Sequence, residues 1–130
     1  MNLKNIFKKF VLIDLLLLTL VIFSLFFDNE MVTNFNESIN PQNDMSDMIG
    51  IIALILLIVY LVNLYLLYKF KPIGKQLYLF VIIFMLILSL LSGTNAASPI
   101  QYVLDGLGWA NSGAILVLLY FSPIKKEFDK

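Results

Sequence analysis

Asp14 is the residue from which any chemistry in this sequence would start. It is the one ionisable side chain within the apolar run from Phe10 to Phe27. A carboxylate in hydrocarbon is costly, so such a residue marks a proton or substrate path by default. Its depth supplies a plainer reading. Counted from Phe10, Asp14 lies roughly 6 Å inside an apolar helix. From there the carboxylate reaches the headgroup layer, or pairs with Lys8, Lys9 or a lysine of the segment around Lys71. Depth favours this anchor, an inward-leaning Asp14 held by Asn63 or a nearby lysine.

Three further polar side chains sit at comparable depth, one in each of the other apolar segments: Asn63, Tyr78 and Tyr120. Converging with Asp14, they would form a small polar pocket inside a helix bundle. Each also has a separate role available. Asn63 serves as a hydrogen bond between helices, worth about 0.6 to 2 kcal/mol in a membrane, and tyrosines anchor helix ends at the interface.

Other chemistry is excluded by composition. The chain has no cysteine and no histidine, which removes disulfides, thiolate and imidazole metal sites, haem ligation and the commonest general base. Paired catalytic acids, phosphate-binding glycine patterns and basic–aromatic nucleic-acid faces are missing as well. The sequence therefore predicts no catalytic residue, no cofactor, no metal and no nucleic-acid partner; the chain is not read as an enzyme.

The elements that must position Asp14 follow from hydropathy. Hydrophobic residues make up 60% of the 130 and the mean hydropathy is +0.89, against roughly 45–50% apolar residues in soluble proteins. Residues 48–68 carry no charge, and a helix of that length covers the ~30 Å of a bilayer's hydrocarbon. Similar runs occupy residues 10–27, 77–92 and 107–121. The first is read as an uncleaved span, because Ser24-Leu25-Phe26-Phe27 offers bulky side chains where a signal cleavage site needs small ones.

The expected fold is an all-α integral membrane protein. It is a single membrane domain, 1–130, with four transmembrane helices in up-down order and short interfacial helices in the outer loops, 28–47 and 93–106. In the first loop Met31, Val32, Phe35 and Ile39 recur at helical spacing, and Asn40-Pro41 would stop the helix. Asn36-Glu37-Ser38 matches a glycosylation sequon, a pattern short enough to arise by chance. Ser46 or Asp47 is placed to cap the second span. Tyr60, Tyr65 and Tyr68 read as its interfacial belt, and Lys69 to Lys75 as a tight basic turn containing Pro72 and Gly74. Gly93 to Ala97 closes the third span. Ser98-Pro99-Ile100-Gln101 is a helix start, with a break or bend expected near Gly106 and Gly108 before the fourth span.

All nine basic residues are lysines, and they fall in three segments: before span one, between spans two and three, and after span four. The positive-inside rule then places both termini in the cytoplasm, and we read the membrane as a bacterial inner (plasma) membrane. The lysines face anionic lipid, which accounts for them. Gly106, Ala110 and Ala114, with Gly113 adjoining, form a stripe of small residues that lets helix backbones approach; packing within the chain is the reading favoured. Trp109 and Tyr102 read as interfacial anchors. The function expected is that of a non-enzymatic accessory, stabilising or immunity-type membrane component, whose partners are the lipid bilayer and another membrane protein or a second copy of itself. The alternative is a small oligomeric transporter or channel using Asp14.

Overall fold

In the computed structural model, residues 2–27, 30–39, 44–92 and 95–129 are described, residues 44–46 for their backbone only. These residues form helices and connecting turns and no strand. Four helices have the length and hydropathy to cross a membrane. They are α1 (Leu3–Ser24, prolonged by a 3-10 turn at Leu25–Phe27), α3 (Asp44–Tyr68), α4 (Pro72–Leu91) and α5 (Pro99–Phe121). The ten-residue α2 (Glu30–Ile39) lies between α1 and α3, and the single turn α6 (Lys125–Phe128) follows α5. The expected stops at Asn40-Pro41 and at Gly93-Thr94 lie outside the described residues.

Several helix ends differ from the sequence reading. Helix α3 begins at Asp44, so Ser46 and Asp47 stand inside its first turn instead of capping it; polar residues are tolerated in a first turn, whose N–H groups have no intrahelical acceptors. Helix α4 begins at Pro72, which places Gly74 within the helix and not in the turn. Helix α5 starts as expected, with Ser98 accepting from the N–H of Gln101 and Pro99 opening the helix. It then runs unbroken through Gly106 and Gly108. A glycine inside a helix costs only about 1 kcal/mol relative to alanine, too little to divide an apolar helix, so the expected short helix and fourth span are one element.

The α3–α4 connection is closed by backbone bonds. The N–H of Phe70 donates to the carbonyl of Leu67 at 3.0 Å, and that of Lys71 to Leu66 at 2.9 Å. This pair of bonds is the Schellman cap, which requires a left-handed residue at its centre. Phe70 occupies that position at φ 54° where glycine is usual, at a cost of roughly 1–2 kcal/mol. Its ring is held by two others: Phe7 of α1 at 5.6 Å and Phe128 of α6 at 5.3 Å between centroids. The start of α1, the α3–α4 turn and the final turn of the chain therefore meet at one end, the end that carries the lysines.

Packing is concentrated at that end. Helix α1 lies chiefly against α5, and α3 against α4, with lesser contact between α1 and α3 and between α4 and α5. Phe7, Val11, Leu64, Leu67, Ile115, Leu119, Ile124 and Phe128 are all buried there. The segment after α5, polar by composition, thus folds back on the bundle through Ile124 and Phe128. Lys4 and Lys75 add ion pairs to Glu127 (2.8 Å) and Asp129 (3.5 Å). Beyond Asp14, Tyr60 and Ile82, toward the lysine-free end, α1, α3 and α4 bury no further described side chain, and α5 buries none before Asn111. The outward faces carry exposed Leu, Ile, Val and Phe.

Candidate polar site at Asp14

Helical periodicity decides which side chains meet Asp14. On α1, Phe7, Val11 and Asp14 follow one another at i, i+4 and i+7, the spacing of one face. That face looks into the bundle, so Asp14 is 3% exposed. Among the described residues no lysine reaches it; the expected pairing with Lys8 or Lys9 does not form. Lys8 lies over the ring of Tyr68 instead, 4.8 Å from its centroid.

The carboxylate is held by one donor from each of the other long helices. Tyr60 of α3 and Tyr78 of α4 donate their hydroxyls to Oδ2, the latter at 3.3 Å. Asn111 of α5 donates its amide to Oδ1 at 2.7 Å and also to the carbonyl of Phe10 at 3.1 Å. The two tyrosine rings stack at 6.0 Å, and the buried Ser112 stands beside both. An ionised carboxylate is purely an acceptor with about four lone-pair positions, and three of them are filled. Among the described residues no buried side-chain nitrogen or oxygen lacks a partner.

Of the residues singled out in the sequence, Tyr78 joins Asp14 directly and Asn63 supports it one step away. The Asn63 side chain is fully buried. With its amide oriented to pair both ends, it donates to the carbonyl of Gly74 at 2.9 Å and accepts from the N–H of Tyr78 at 3.0 Å. It therefore binds both ends of one i to i−4 step of α4 and sets the height of Tyr78. Gly74 makes this approach possible: a Cβ there would lie 3.0 Å from Cβ of Leu66 and 3.2 Å from the Leu67 nitrogen.

Tyr120 does not join the site. Its hydroxyl donates to the carbonyl of Lys75 at 3.1 Å and its ring lies under the Lys75 ammonium, because Tyr120 is nine residues, more than two turns, beyond Asn111. Tyr60 is buried against Asp14 and so does not belong to the interfacial belt, while Tyr65 is exposed as that belt requires. Sequence reasoning also passed over Asn111. The available signal was its amide on the face that Ser112, Ile115 and Leu119 share, a polar residue in register with an apolar stripe.

The small-residue stripe does not pack within the chain. Gly106, Ala110 and Gly113 are exposed, Ala114 is half-buried, and a Cβ added at Gly106 or Gly113 would meet nothing within 4 Å. The buried side of α5 carries Ser112 and Leu119, each roughly half a turn around the helix from Ala110.

On its lysine-free side the Asp14 layer forms the floor of a cleft of about 170 Å³. Leu17, Leu18 and Val21 of α1, Ile82 and Met85 of α4, and Leu104, Asp105, Gly108 and Trp109 of α5 line it. Trp109 is thus a wall of this cleft as well as a partly exposed ring. At the same end Asn36 of α2 exchanges two hydrogen bonds with the backbone of Ala96, its amide donating at 3.0 Å and its oxygen accepting at 2.7 Å. The sequon asparagine is therefore engaged in holding two connections together. No family model matches the chain, and comparison with curated proteins and with solved structures finds no match either.

Proposed function

We propose that the chain is a non-enzymatic component of a bacterial plasma membrane, inserted as an up-down bundle of four helices with both termini in the cytoplasm, and acting through helix contacts as an accessory, stabilising or immunity-type factor. The observation that carries this reading is the engagement of Asp14 by one donor each from α3, α4 and α5. A carboxylate so held joins four helices, and a proton carrier would need to exchange those donors for water in every cycle. The packed layer of Phe7, Val11, Leu64, Ile115 and Leu119 between Asp14 and the lysine-bearing end supports the same reading, since the buried polar side chain within it, Asn63, is committed to Gly74 and Tyr78. The exposed side of α5, with Gly106, Ala110 and Gly113, is the face available to a partner helix from another membrane protein or a second copy.

Proteoliposomes containing a pH-sensitive dye test the proposal. The expected result is no proton flux that depends on Asp14. Flux that disappears in Asp14→Asn, in a variant that keeps its helical content and melting behaviour, overturns it in favour of a second reading, a small oligomeric transporter or channel. The cleft that ends on Asp14 is the observation favouring that alternative. Orientation is tested separately: an alkaline-phosphatase-type reporter fused after Lys130 should be inactive, and an active fusion would reverse the topology.

A further inference from the structure

The cleft above Asp14 has the composition of a ligand site that helix association leaves unexplained. Asp14 lies at its floor and Asp105 on its wall, and no lysine is among the residues that line it. The two carboxylates differ in what they still offer. Asp14 has three of about four acceptor positions filled. Asp105, half-buried, makes no hydrogen bond or ion pair among the described residues. Every described lysine lies in a segment that belongs to the opposite end of the bundle, so among the described residues no cation balances the two carboxylates of the cleft.

We propose that this cleft binds a linear aliphatic diamine, one ammonium at each carboxylate and the methylene chain between them. Geometry selects a dication over a single charge. Asn111, the residue that grips Asp14, is six positions beyond Asp105 on α5, a rise of roughly 9 Å between the two backbone positions. An extended six-carbon diamine spans a comparable distance between its nitrogens. The walls between the carboxylates are Leu18, Ile82 and Met85, suited to methylenes and unsuited to a hydrated metal ion. Trp109 adds an aromatic face for the outer ammonium. The inference stands apart from the accessory role, because it requires binding at the lysine-free end and no passage beyond Asp14.

Trp109 is the only tryptophan in the chain, so its fluorescence reports on the cleft directly. The full chain in nanodiscs of zwitterionic lipid, which presents no anionic headgroup to compete, is titrated with hexamethylenediamine and with hexylamine, followed by fluorescence and by calorimetry. The expected result is saturable binding of the diamine about tenfold or more tighter than of the monoamine, a gap that corresponds to roughly 1.4 kcal/mol. In Asp105→Asn that advantage should fall to near unity while helical content and melting stay unchanged. Equal affinity for the two amines overturns the proposal in favour of a single-cation site. A diamine preference that survives Asp105→Asn, or the absence of both a fluorescence change and binding heat, overturns it outright.

Discussion

One amide nitrogen of Asn111 donates both to Asp14 at 2.7 Å and to the carbonyl of Phe10 at 3.1 Å, the residue one helical turn earlier on α1. Asn111 thereby fixes the height and rotation of α5 against α1 as well as the carboxylate itself. Tyr60 and Tyr78 approach the other oxygen from α3 and α4. The two closely packed helix pairs, α1 with α5 and α3 with α4, are thus joined across their looser boundary by one buried acid. The layer is buried, so little water competes for these donors, and leaving a polar group unpaired there is unfavourable.

Gly74→Ala is expected to weaken the α3–α4 pair. The added Cβ would lie at 3.0 Å from Leu66, with two backbone atoms of α3 at 3.2 Å, and the turn between them is too short to yield. Overpacking of this kind costs about 1–3 kcal/mol. It should also lengthen the bonds of Asn63 to Gly74 and Tyr78. Thermal or SDS-induced unfolding measures the effect; a variant as stable as the parent would show that the close approach does not govern the fold.

Enlarging the stripe on α5 should have the opposite outcome for the single chain. Ala110→Leu and Gly113→Leu place side chains where the monomer offers open space, so neither is expected to destabilise the isolated chain by more than about 0.5 kcal/mol, and removing the helical glycine at 113 should stabilise it by up to about 1 kcal/mol. Association is where these variants should act. Loss of a copurifying partner, or of a dimer on gel filtration, accompanied by undiminished monomer stability, is the expected result. A large loss of monomer stability would place the stripe inside the bundle.

The turn after α5 should behave as part of the core. Phe128 is 1% exposed and packs on Phe7 and Phe70, and removing such a ring costs about 3–5 kcal/mol in a fully buried site. Phe128→Ala should therefore free the segment from Ser122 onward, making Lys125 and Lys126 susceptible to trypsin while the four long helices remain protected. The two ion pairs beside it contribute little by comparison, since exposed pairs are worth about 0–1 kcal/mol. Equal trypsin resistance in Phe128→Ala would show that the ring does not hold the tail.

Much of the helix layout was legible in the sequence because long apolar runs and the Ser98-Pro99 start are local signals. What escaped it depended on facing. Asp14, Asn63, Tyr78 and Tyr120 were grouped by depth alone, and depth does not report the side of the helix. Asn63 and Tyr78 turn inward, whereas Tyr120 serves the backbone of Lys75. Spans that are apolar on every side give no amphipathic cue to rotation, which is why Tyr60 passed for an interfacial residue and Asn111 was not noticed. The stripe on α5 failed for the same reason, since small residues permit a close approach without saying to what. Gly106 and Gly108 suggested a break by composition, but no penalty of their size outweighs a continuous hydrogen-bonded helix.

The central claim is that Asp14 is a structural junction among four helices, and a double-mutant cycle between Asp14→Asn and Asn111→Leu tests it most directly. Unfolding free energies of the two single variants and the double variant would be measured in bicelles by steric trapping. Hydrogen bonds between membrane helices reach about 0.6–1.7 kcal/mol, and each single variant here disturbs a network in which the remaining donors stay buried. The account predicts that both single variants are destabilised and that their effects are coupled by about 1 kcal/mol. Stability unchanged in Asp14→Asn, with additive effects in the double variant, would contradict it and return Asp14 to the candidates for chemistry.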